Sequence, residues 1–261
     1  MNGTIMNFAG SIQTLRKAAV IGASAAAFLM LGTSAQATSF TNGSFEINTG
    51  NGQLGIGGTT TATGWSVPAG GYTFLFAPGT ADTTGANGEY GNLALWGPGY
   101  GVANGMPATS PVGGYFIGQD SAFQVQPLQQ TITGLTAGDT YALSFYWGTA
   151  QQTGFYGATY DSWLACLGVE CDSTGTVANP SQGFEGWYGE TFVYTAIGPS
   201  EILTFLASGG DCCGNTNSQP PFVLLDGVSL TQTPEPGSLP LFFTGLMGGL
   251  GVLRSRKWLK R

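Results

Sequence analysis

The chain has 261 residues, 44 of them Gly, 16 Phe, 10 Tyr and 6 Trp, and only 8% are charged. It carries 14 acidic residues, 7 basic residues and no His, and all seven bases lie in the first 17 or the last eight positions. Between 38 and 233 there are thus 13 acids (the 14 less Glu235) and no base, so this stretch cannot form side-chain salt bridges. Nothing there clamps a phosphate, which excludes nucleic acid as a partner. With no His or Lys it also holds no Ser-His-Asp, Cys-His or lysine-based catalyst.

Residues 1–37 read as a secretory signal peptide: Arg16 and Lys17 form the positive region, 18–31 the apolar core and Ala35-Gln36-Ala37 the small-residue cleavage site. Signal peptidase is therefore an expected partner, and residues 38–232 the exported domain.

That domain reads as short strands between Gly, Asn, Thr and Pro loops. Strands are expected over 39–47, 64–67, 72–76, 93–96, 115–117, 124–132, 140–147, 190–194, 202–207 and 222–230. The clearest is 140–147, where Tyr141, Leu143, Phe145 and Trp147 alternate with Thr140, Ala142 and Ser144. No helical period of useful length occurs between 38 and 233. An all-β sandwich is the expected fold, because parallel βαβ units need helices.

Four cysteines follow, Cys166, Cys171, Cys212 and Cys213. In an exported chain an even count favours disulfides. A bond between adjacent Cys212 and Cys213 forms a strained ring, so two bridges tying the 166–171 loop to the 212–213 loop are expected. Two carboxylates could in principle hydrolyse a glycoside, and Glu185 and Glu190 sit among aromatics, but acids are scattered along the whole domain. No enzyme is expected. Trp163, Trp187 and Tyr188, set near glycines and loops, are the candidate ligand-stacking faces for a sugar. Asp226 shares strand parity with Leu224, Val228 and Leu230, so it is expected to face the core without any base to pair with.

Asn42-Gly43-Ser44-Phe45-Glu46 with Gly64-Trp65, the stretch from Gln129 to Phe145, and Leu225-Asp226-Gly227-Val228-Ser229-Leu230 together resemble galactose-binding-like domains. The resemblance implies a jelly-roll β-sandwich, common among carbohydrate-binding modules and cell-surface domains. It also implies a structural calcium between the opening and closing strands, at the positions of Glu46 and Asp226. Loop carbonyls would supply the remaining oxygens.

Residues 233–261 form a tail of Pro234-Glu235-Pro236, an uncharged apolar run over 239–253 and a basic end. As a helix the run spans roughly 22 Å, short of a hydrocarbon core of about 30 Å, with Arg254, Arg256 and Lys257 able to snorkel. The order of pieces resembles the PEP-CTERM sorting signal. The resemblance implies recognition by an exosortase, a transient inner-membrane anchor, and release to the cell surface or extracellular matrix. The expected role is structural or adhesive within exopolysaccharide. The alternative is a carbohydrate-binding module for neutral glycans, and the third reading is a glycoside hydrolase.

Overall fold

The computed structural model describes residues 38–55, 59–68, 70–212 and 219–233. The signal peptide, the Pro234-Glu235-Pro236 motif, the 239–253 apolar run and Cys213 lie outside them. No helix among the described residues is long and apolar enough to cross a membrane.

Thirteen strands are named in chain order: β1 (Gly52–Gln53), β2 (Thr73–Phe76), β3 (Ala86–Gly88), β4 (Gly91–Leu93), β5 (Phe116–Asp120), β6 (Leu128–Thr133) and β7 (Thr140–Gln151). Then come β8 (Thr159–Leu167), β9 (Glu170–Ser173), β10 (Val177–Asn179), β11 (Glu185–Thr195), β12 (Ser200–Asp211) and β13 (Pro221–Gln232). A six-stranded sheet runs β1-β2-β5-β13-β7-β11, and a five-stranded one runs β10-β8-β12-β6 with β9 added on β8. Their strand pairings are antiparallel.

The two sheets stack face to face as a β-sandwich. Leu143, Phe145, Trp147, Val223 and Leu225 from one sheet meet Trp163, Ala165, Leu203 and Phe205 from the other in one core. The period-two pattern of β7 dictates this, since alternate side chains reach the same face. A second apolar cluster covers the outer face of the six-stranded sheet, where Phe74, Phe76, Phe116, Phe222 and Leu224 lie under Ala81, Leu93, Leu95 and Met106. Both faces of β13 are therefore buried, which is why it reads as an unbroken apolar run from Phe222 to Leu225 rather than an alternating one.

Three expectations need correction. Residues 39–47 form turns rather than a strand, because Asn42 and Phe45 adopt left-handed backbone, with φ of 52° and 58°. The segment instead bonds to the bulge within β13: Val228 N donates to Gly43 O at 2.9 Å, and a Cβ on Gly43 would lie 1.8 Å from Val228 O. Asp226 does not face the inter-sheet core. Gly227, at φ 59°, sits where the β7–β13 register shifts, so Asp226 shares the outer face with Leu224 while Val228 and Leu230 turn inward.

The cysteine expectation also fails. Cys166 bonds Cys171, its direct cross-strand partner in the β8–β9 hairpin, with a Cα separation of 4.1 Å. No bridge therefore joins the 166–171 hairpin to Cys212. The short turn at Gly168 and Val169 brings the two thiols together more cheaply than any long-range pairing could.

Candidate functional site: a cleft at one end of the sandwich

Where β5, β7 and β12 end and β2 and β13 begin, the described residues leave a cleft of about 570 Å³. It is lined by Tyr72, Tyr90, Asp120, Ala122, Phe123, Gln152, Phe155, Asp211, Gln219 and Pro220.

Strand ends position these groups. Tyr72 is held just before β2 by its N–H to Gln124 O (3.0 Å) and by Asp120 N donating to its carbonyl (3.1 Å). Asp120 closes β5, and its Oδ1 accepts both Ala122 N and Phe123 N at 2.8 Å, so the carboxylate folds the chain back and sets Phe123. Tyr90 reaches in from the β3–β4 hairpin, and Gln124 Nε2 donates to its hydroxyl at 3.0 Å. Tyr72, Tyr90 and Phe123 form a cluster with centroids 5.3–6.0 Å apart. Tyr72 is buried, whereas Tyr90 is 62% and Phe123 45% exposed. Phe155 is partly exposed, its carbonyl accepting Trp96 Nε1 at 2.9 Å. On the far wall Asp211 Oδ1 accepts Gln219 N at 2.8 Å. Gln219 is only 5% exposed, and its Oε1 has no partner among the described residues.

Burial controls the acids here. Asp120, 1% exposed, is pushed up to about 7 by desolvation, partly offset by its two backbone donors. Behind it the fully buried Asp161 is raised well above the carboxylate range, again by desolvation, despite the hydrogen bond it receives from Ser121 Oγ. The Tyr72 hydroxyl is raised to about 12 by burial and by Asp120, so it stays a donor. Rings, acceptors and hydroxyls without a cation make a surface for stacking and hydrogen bonding.

The residues chosen from the sequence lie elsewhere. Trp163 is fully buried, and its Nε1 donates to Leu224 O at 2.9 Å, so it is a core side chain and not a stacking face. Trp187 is half-buried against Phe116 at 5.6 Å, under the outer layer. Tyr188 is exposed but leans on Trp147, at 5.2 Å. None of the three lines the cleft, nor do Glu185 and Glu190, which share β11.

Glu46 and Asp226 lie close enough for their charges to interact. Glu46 Oε1 accepts Tyr115 N at 2.7 Å, Asp226 accepts Ser110 Oγ and its neighbour Gly227 N, and the Glu46 charge helps raise Asp226 to about 7 after desolvation, the larger cause. Two interacting carboxylates with no base suit a hard cation in donor type, and these two would hold it. Among the described residues no cluster of three or more Asp, Glu, Cys or His exists, so carbonyls and water would complete the shell.

No protein family matches the chain, and no curated protein does. Similar solved structures include the enzymatically active domain of bacteriophage CBA120 tailspike protein 4, at 10% identity and a TM-score of 0.34. The alignment covers 75% of this chain but 21% of the tailspike. A structure titled "CBM4 structure and function" matches at 15% identity, covering 75% of this chain and all of its own, with a TM-score of 0.31. A putative sugar binding protein from Bacteroides thetaiotaomicron matches at 12% identity, covering 74% and 99%, with a TM-score of 0.31.

Proposed function

We propose that residues 38–232 form a saccharide-binding module carried to the cell exterior, and that the cleft between Tyr90, Phe123, Phe155, Asp120 and Asp211 is its binding site. The observation that carries this is the exposure of aromatic rings beside buried hydrogen-bonding groups on rigid strand ends. Sugar rings stack on such faces while acceptors orient their hydroxyls. Acidic polymers are repelled, because 13 acids stand without a base between 38 and 233. The module is read as a jelly roll of the galactose-binding-like kind, with binding and no catalysis. A structural or adhesive role in exopolysaccharide is compatible with weak contacts, on the order of millimolar to micromolar, because many copies act together.

Sorting by an exosortase through Pro234-Glu235-Pro236 accounts for the tail, with the inner membrane as a transient anchor. Mass spectrometry of protein from the cell surface should find chains ending before Trp258; surface protein that retains Trp258 would overturn this part.

The binding site itself is tested on a glycan array followed by calorimetry. Wild-type protein should bind glycans without acidic groups, and Tyr90→Ala with Phe123→Ala should weaken binding by about ten-fold or more. Binding unchanged in both variants would remove the cleft from the site. Failure to bind any glycan would leave the structural role standing.

A further inference from the structure

We propose that this cleft selects sugars bearing a free ammonium group, so that its polymer is an amino-sugar chain with unacetylated units. This rests on the saccharide reading above.

The cleft's polar inventory is biased toward acceptors. Asp120 and Asp211 bring carboxylates from opposite sheets. Both backbone bonds to Asp120 go to Oδ1, so its carboxylate is pinned in the cleft wall, where its charge acts on a ligand. The Oε1 of Gln219, on a side chain more than nine-tenths buried, lacks a donor among the described residues. A buried acceptor without a donor costs free energy until something supplies one. An ammonium supplies three donors and a charge, whereas a sugar hydroxyl supplies one donor and no charge.

The rings add to the bias. Faces of Tyr and Phe attract cations, and the Tyr90 and Phe123 rings stand 5.8 Å apart at the mouth. No Lys, Arg or His between 38 and 233 competes for these groups. An N-acetyl group on the same sugar removes the charge and two of the donors, so acetylation acts as the discriminating feature. Asp120 is held partly protonated by burial, and an ammonium beside it draws the carboxyl back toward ionisation.

Calorimetry on the full exported protein tests this with three oligosaccharides of equal length: glucose, N-acetylglucosamine and glucosamine. The glucosamine oligomer should bind about ten-fold tighter than either neutral one at low salt, and added salt should shrink the advantage. Asp120→Asn and Asp211→Asn should each lower the ratio of glucosamine to neutral affinity several-fold. Glu185→Gln with Glu190→Gln, which remove equal charge away from the cleft, should leave that ratio alone. Equal affinity for charged and neutral oligomers sinks the ammonium preference and leaves the saccharide site intact. So does a preference that the β11 variants reduce as much as the cleft variants, since that is attraction to net charge. If none of the three binds, the ammonium preference fails, while the saccharide reading falls only if the glycan array is blank as well.

Discussion

The Trp163 indole N–H donates to the Leu224 carbonyl at 2.9 Å, crossing from the five-stranded sheet to the central strand of the six-stranded one. The same ring packs edge-on against Phe205 at 5.8 Å. Trp163 is therefore a tie between layers.

Trp163→Ala should destabilise the domain by about 3–5 kcal/mol, from lost burial and the cavity left behind. Trp163→Phe keeps most of the volume but removes the bond to the Leu224 carbonyl, and should cost about 0.5–1.5 kcal/mol. Denaturant unfolding measures both. An Ala variant as stable as wild type would show that this ring does not join the sheets.

The Cys166–Cys171 bridge closes a separation of five residues on a hairpin that is already paired there. In the chain-entropy view such a loop contributes about 2 kcal/mol, less than a long-range staple would. The double variant Cys166→Ser, Cys171→Ser should fold, with a thermal midpoint lowered by only a few degrees. A variant unable to fold would give the bridge a larger part than its loop length allows.

Asp120, Asp161 and Asp226 all have folded-state pKa values above the unfolded carboxylate value. The folded protein then holds protons more tightly than the unfolded chain. The stability these groups contribute is full below about pH 4 and is lost as pH rises through about 7 for Asp120 and Asp226. Unfolding free energy should therefore be higher at about pH 5 than at about pH 8, with a slope of at most about 1.4 kcal/mol per pH unit per group. Asp120→Asn should flatten the profile. A rise in stability toward alkaline pH would mean that these carboxyls are ionised beside bound cations.

Calcium provides the complementary measurement. If Glu46 and Asp226 hold it, added Ca²⁺ should raise the melting temperature, chelator should lower it, and Asp226→Asn should abolish both responses. The Asp226 share of the pH profile should vanish in saturating calcium, because the ion replaces the proton. A melting curve indifferent to calcium and to chelator would rule out a cation at this pair.

The strands that were legible in the sequence are those with one face toward the inter-sheet core. Tyr141, Leu143, Phe145 and Trp147 alternate and form the inner face of β7, and β12 and β13 were found within a few residues of their ends. The same alternation is present in Trp163, Ala165 and Leu167 of β8, and it outweighs the nearby glycines that suggested a loop. Residues 77–115 resisted reading because they contain only two three-residue strands and cover a sheet with irregular backbone. The cleft was hidden for a related reason. Its members come from five strand ends and a hairpin tip, from Tyr72 to Pro220, and no local pattern marks residues that meet only after the sheets stack. The one available signal was Asp120, an acid followed by Ser-Ala-Phe directly after a strand, which is a turn-forming sequence.

β13 follows every other strand in sequence, yet it lies in the middle of the six-stranded sheet, between β5 and β7. Strands β1, β2 and β5 have no hydrogen-bonded link to β7 and β11 until it inserts. Chain emerging from a ribosome or threading a secretion channel from its N-terminus thus cannot complete this sheet before residue 232 has passed. The order of the strands leaves the six-stranded sheet in two separate parts until the last strand of the chain is available to join them.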